Sequence, residues 1–125
     1  MYLLSEIMAL LFSLMMTGLI WFVQMVHYPL FKAIPPEHFR QYETRHTSKT
    51  GLLVAPLMLI EMGFGFLFWW MHTKDFWNHF SLLMLLIVWF STFFIQVPLH
   101  SKLTKKHDDA TINKLIQTNW IRTIC

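Results

Sequence analysis

The chain has 125 residues, 55% of them hydrophobic and only 14% charged, with a formal net charge of +3 and a mean hydropathy of +0.45. A soluble domain of this size has no core large enough to hide so much apolar surface, so composition selects a single integral membrane domain, residues 1–125. The positive charge sits in short segments beside apolar runs, with no basic face interleaved with aromatics, which excludes a nucleic-acid partner.

Three runs reach the roughly 20 apolar residues that a bilayer crossing needs, at about 3–31, 52–71 and 80–99. The first is read as a retained helix rather than a signal peptide. Its opening residues carry Glu6 and no Lys or Arg, no small-residue cleavage site follows, and it far exceeds the about 7–15 residues of a signal h-region. Glu6, Ser13, Thr17, Gln24 and His27 fall within an arc of roughly 80° on this helix. Every other position from Ile7 to Val26 is apolar or glycine. Lipid cannot hydrogen-bond a glutamine or a histidine, so this stripe faces protein, water or a ligand.

The segment from Lys32 to Thr50 reads as a loop carrying Lys32, Arg40, Arg45 and Lys49. The second span follows, starting just after His46 and Thr47, with Glu61 about midway along it. A lone carboxylate at that depth is either protonated or paired with a cation, and Arg122, about as deep in the last helix, is the expected partner. Gly63 and Gly65 beside Glu61 permit close approach of a helix or a flat ligand, which makes this layer the expected place for a pocket.

Loop two, His72 to His79, carries only Lys74 and is bracketed by Trp69, Trp70 and Trp77, an interfacial belt. In the third span Trp89, Thr92, Gln96 and His100 step by three and four and share a face. Loop three, His100 to Ala110, adds Lys102, Lys105 and Lys106. Loops one and three thus hold seven positive charges against one in loop two. The positive-inside rule then puts them in the cytoplasm and the N-terminus outside the cell (inner) membrane.

From about 110 to 125 the sequence reads as a fourth helix opened by Asp108 and Asp109, too short to span at 1.5 Å per residue. It is expected to be a half-inserted or truncated helix, truncation being favoured. The expected fold is therefore an all-α transmembrane helical bundle of three full spans plus an incomplete fourth helix. The only cysteine, Cys125, rules out an intrachain disulfide and a cysteine metal cluster.

Spans one and three close in similar language, Gln24, His27 and Pro29 against Gln96, Pro98 and His100, which hints at two related two-helix units. Pro29, Pro56 and Pro98 free backbone carbonyls, and such kinked segments often line cavities. His27, His46 and His100 converge at the cytoplasmic ends of the three spans. They are the candidate catalytic residues together with Glu61. Three imidazoles from separate helices suit a metal ion, and His27 with His100 would alternatively ligate a haem from opposite sides. No HxxxH or ExxH pair on a single helix is read in support. The remaining histidines, His38, His72, His79 and His107, are read as solvated loop or edge residues.

The segments His27-Tyr28-Pro29, Tyr42-Glu43 with Arg45-His46-Thr47, and Pro56-Leu57-Met58 leading to Glu61 resemble a family of small uncharacterised bacterial four-span membrane proteins. Pro98-Leu99-His100 with Leu103, and Thr118-Asn119-Trp120-Ile121-Arg122-Thr123, carry the resemblance to the end of the chain. That family is distantly similar to the anthrone oxygenase-like domain of unknown function, whose members share a late Asn/Trp/Arg cluster. The resemblance implies an aromatic or quinone-like ligand in the polar seam and an oxidation. His27, His46 and His100 would then be acid/base or ligand residues, Glu61 a proton acceptor, and Asn119, Trp120 and Arg122 substrate or carboxylate anchors. Gln24 and Gln96 belong to the same cytoplasmic-end cluster. The competing class is non-enzymatic, a small transporter or a structural subunit of a membrane complex; assembly as a homo-oligomer stays open under either.

Overall fold

The computed structural model describes residues 2–125, all of it helix apart from short connections. Four helices run up and down: α1 (Leu3–Ala33), α2 (Pro36–Met71), α3 (Phe76–Leu103) and α4 (Asp109–Ile124). The first three are long and apolar enough to cross a membrane, with mean hydropathies of 2.0, 2.0 and 2.2; α4 is shorter and does not qualify.

The bundle is packed inside out relative to a soluble protein. Leu52, Trp70, Phe76 and Phe94 are among many large apolar side chains left exposed, while Gln24, Glu43, Gln96, Asn119 and Arg122 are buried. Among the described residues, nine buried side chains are apolar and nine are polar or charged, an even split that puts polar groups between the helices.

The helix ends follow from local chemistry. Pro35 is held extended by the ring of Pro36, which sits at the first helical position of α2, and Glu37 follows in the first turn. Asp75 caps α3 by accepting from the Trp77 amide, and Asp108 caps α4 by accepting from the Thr111 amide. At the opposite end Ser5 Oγ lies 3.6 Å from Met71 Sδ and Glu6 lies 3.4 Å from His72, tying the start of α1 to the end of α2.

The expected loop from Lys32 to Thr50 is almost wholly helical. Only Ile34 and Pro35 separate α1 from α2, so the second span begins four turns before Leu52. Its basic residues and Glu37 point outward while Phe39, Glu43 and His46 turn inward on one helical stripe. At 36 residues, α2 measures about 54 Å at 1.5 Å per residue, well beyond a hydrocarbon core of about 30 Å, so its first turns project past the apolar layer.

Helices α1 and α3 share one irregularity. Each widens into a five-residue π-helix, Val23–His27 and Thr92–Gln96, directly before the Tyr28-Pro29 and Val97-Pro98 steps. A proline lacks the N–H that would bond the carbonyl four residues back, so the preceding amide reaches a further residue instead: Tyr28 N–H to Val23 O, and Val97 N–H to Thr92 O. The related endings of spans one and three thus share a backbone device. Aligned on their prolines, however, His27 matches Gln96 and Phe31 matches His100, so the two endings present different side chains. Pro56 sits inside α2 without producing a π segment.

Beneath these segments lies the apolar core, Tyr28, Phe31, Phe39, Leu99, Leu103, Ile112 and Leu115, drawn from all four helices. It holds the basic ends of the helices together and fixes the site above it.

Candidate functional site

His27, His46 and His100 meet, as their positions imply. His27 Nε2 is 3.1 Å from His46 Nδ1, and the His46 and His100 ring centroids are 5.7 Å apart. Thr50 Oγ1, one turn along α2, also lies 3.0 Å from His46 Nδ1. The fully buried Phe31 ring supports the group, with centroids 5.2 Å from His27, 5.3 Å from His46 and 6.3 Å from His100.

The residue that completes the cluster is Glu43. It is 0% exposed, its Oε1 is bonded to His100 Nδ1, and its Oε2 is buried with no hydrogen-bond partner. A buried carboxylate needs a counter-charge, and among the described residues His100 is its only ion-pair partner. Glu43, His46 and His100 each present a ligating atom, all within 4.8 Å of one another. This is a buried polar cluster with the donor set of a metal site.

Glu43 corrects the sequence reading. Glu43-Thr44-Arg45-His46 is an ExxH pair, and on a helix positions i and i+3 share a face. It escapes notice when 32–50 is taken as a loop, because spacing has meaning only once the segment is known to be helical.

A hydrogen-bonded chain runs from Glu43 through the bundle. The carboxylate accepts from His100 Nδ1, and His100 Nε2 lies 2.9 Å from the Tyr28 hydroxyl, which accepts from the imidazolium of the ion pair and donates to the neutral ring. The Tyr28 hydroxyl in turn faces the Arg122 guanidinium. Arg122 Nη1 donates to Asn119 Oδ1 at 3.3 Å, Asn119 Nδ2 to Gln24 Oε1 at 2.8 Å, and Gln24 Nε2 to the Ile116 carbonyl at 3.2 Å. Arginine only donates and a carbonyl only accepts, so the two ends fix both amide orientations. Gln96 Nε2 donates to Thr118 Oγ1 at 3.1 Å, whose own proton goes to the Lys114 carbonyl. That leaves Gln96 Oε1 buried and without a partner. Gln24 and Gln96, expected in the histidine cluster, thus dock α4 onto the two π segments.

A cavity of about 460 Å³ opens beside the cluster. His27, Tyr28, His46, His100, Gln96 and Arg122 supply its polar wall, and Leu19, Val23, Val54 and Val97 much of its apolar one. Of the face expected on α3, Thr92, Gln96 and His100 line the cavity, while Trp89 lines neither cavity and its Nε1 is buried without a hydrogen-bond partner.

Glu61 lies elsewhere. It lines a second cavity of about 590 Å³ with Glu6, Ser13 and Asn78, so the expected pocket at its layer exists but is separate from the histidines. The expected Glu61–Arg122 ion pair does not form. Arg122 borders both cavities, but it is turned toward Asn119 and Tyr28, while Glu61 faces Ser13 on α1. Gly65 serves close helix packing, since a Cβ there would meet Leu85 Cδ2 at 2.8 Å, whereas nothing lies within 4 Å at Gly63. Trp120 lies edge-on against Trp21, with centroids 6.0 Å apart, and lines neither cavity. Compared with protein-family models, curated proteins and solved structures, the chain gives no match.

Proposed function

We propose that Glu43, His46 and His100, with His27 alongside, hold a first-row transition-metal ion that serves oxidation of a small aromatic or quinone-like molecule in the adjoining cavity. The observation that carries this reading is the convergence of one carboxylate and two imidazoles, from α2 and α3, on one buried point beside an apolar cavity. Two histidines and one carboxylate with open positions form the donor pattern of non-haem iron(II) sites, which bring dioxygen and an organic substrate together. The orphaned Glu43 Oε2 is an unfilled ligand position in keeping with such an ion. With Nδ1 as the ligating atom, His100 Nε2–H would donate to the Tyr28 oxygen, giving Tyr28 the role of an outer partner that sets the tautomer and ring orientation of a ligand. A cavity of about 460 Å³ falls within the roughly 300–1,000 Å³ of small-molecule sites.

A compact ion suits the cluster better than a haem. The Phe31 and His46 rings pack against the other histidines and fill the space that a macrocycle between His27 and His100 would need. The oxidative reading is also the one implied by the resemblance read from the sequence alone, to the anthrone oxygenase-like domain. Seven basic residues at the site end against Lys74 at the other favour an inner-membrane protein with its N-terminus outside.

A transporter is the second reading, favoured by the two cavities that meet at Met16, Ile20 and Arg122 and by the matched π segments of α1 and α3. Elemental analysis separates the two. Protein in lipid nanodiscs, loaded with iron(II) or zinc and desalted, is expected to retain about one ion per chain, lost in Glu43→Ala, His46→Ala and His100→Ala. Wild-type protein that retains no metal would overturn the oxidative reading.

A further inference from the structure

Arg122 is 8% exposed, and among the described residues no carboxylate lies within ion-pair distance of it. Its Nη1 is used by Asn119 and its guanidinium faces the Tyr28 hydroxyl, both neutral partners, while its Nε is buried with no hydrogen-bond partner. A buried cation without an anion costs several kcal/mol, and a native fold tolerates it when a ligand brings the missing charge. The guanidinium also borders the 460 Å³ cavity, whose other lining is apolar side chains, hydroxyls, the Gln96 amide and the imidazoles of His27, His46 and His100, with no carboxylate among them.

We infer that this cavity binds small aromatic acids, with Arg122 holding the acidic oxygen and Leu19, Ile20, Val23, Val54 and Val97 enclosing the ring. Guanidinium and carboxylate are matched forks, so recognition is directional as well as electrostatic. The inference names a substrate class for the proposed oxidative site and rests on that reading only for what happens after binding. A metal cation held by the single carboxylate of Glu43 would leave the cavity wall more positive still, strengthening the demand for an anion.

The test uses full-length protein in phosphatidylcholine nanodiscs, stripped of metal with EDTA so that anion binding is read apart from metal binding. Equilibrium dialysis with 2-naphthoate and its neutral counterpart 2-naphthamide is expected to show saturable binding with a preference of about tenfold or more for the acid. Arg122→Gln should abolish that preference while leaving naphthamide binding, and Arg122→Lys should retain part of it. Where Arg122→Gln does not yield a monodisperse helical protein, the wild-type ratio of acid to amide decides alone. Equal affinity for the two probes, no saturable binding of the acid, or a preference that survives in Arg122→Gln would overturn the inference. So would loss of acid binding when phosphatidylglycerol replaces part of the neutral lipid, since the site would then belong to an anionic lipid.

Discussion

The two cavities border the same three residues, Met16, Ile20 and Arg122, yet they are built in different ways. At the basic end, groups from all four helices join in one chain from Glu43 to the Ile116 carbonyl, and both glutamines are buried. Around Glu61 the polar groups stand apart. Glu61 faces Ser13, Thr17 bonds back to the Ser13 carbonyl, and Glu6 reaches the half-exposed His72. Convergence rather than polarity distinguishes a site that can hold an ion. A single carboxylate beside a hydroxyl has one strong donor to offer, while Glu43, His46 and His100 bring three to one point.

The largest expected effect separates the two regions by metal retention. Glu43→Ala and His100→Ala should each weaken metal binding by more than about 100-fold, and Tyr28→Phe by about 10- to 100-fold as an outer partner. Glu61→Gln should leave it unchanged; a comparable loss at Glu61 would erase the distinction drawn between the cavities.

Stability should divide the same way. His100→Ala leaves Glu43 buried without its only ion-pair partner and is expected to cost about 3–5 kcal/mol in the metal-free protein. Glu61→Gln should cost less than about 1 kcal/mol. Denaturant titration in mild detergent gives both values, and the double variant Glu43→Gln/His100→Ala should lose less than the sum of its parts.

A smaller effect concerns the docking of α4. Gln24→Leu leaves buried Asn119 Nδ2 without its partner and removes the side-chain bond to the Ile116 carbonyl, for about 1–3 kcal/mol. Hydrogen exchange should show α4 opening ahead of α2; uniform protection across the bundle would mean that Gln24 does not pin it.

The smallest effect lies outside both cavities. The Thr111 hydroxyl and then backbone N–H groups hold the Asp108 carboxyl below the usual aspartate range. Its capping contribution is therefore fully present above the ordinary aspartate pKa and lost as pH falls through the lower folded value. Asp108→Asn should flatten that acid limb of the stability profile; an unchanged limb would assign it to other carboxylates.

Much of this arrangement is legible in the sequence because lipid enforces a simple rule. Apolar runs long enough to cross a bilayer declare the three spans, and their alternating directions put His27, His46 and His100 at one common end, which brings them together before any coordinates exist. The rule fails where water takes over. Between Lys32 and Thr50 charged residues are expected whether the backbone is loop or helix, so hydropathy hides the first turns of α2 and the ExxH pair on them. Depth arguments fail differently. They matched Glu61 with Arg122 by height along the bundle, but hydrogen bonding depends on rotation about the helix axis, and Arg122 is turned toward Asn119 and Tyr28. Gln24 and Gln96 look like ligand residues by burial, and only the position of α4 shows that they hold a helix.

The most direct test of the account is X-ray absorption on wild-type protein loaded with one equivalent of iron(II) in nanodiscs. A first shell of nitrogen and oxygen at about 2.0–2.2 Å, with outer scattering from two or three imidazoles that falls by one in His100→Ala, is the expected result. An all-oxygen shell without imidazole scattering, identical in wild type and His100→Ala, would contradict it.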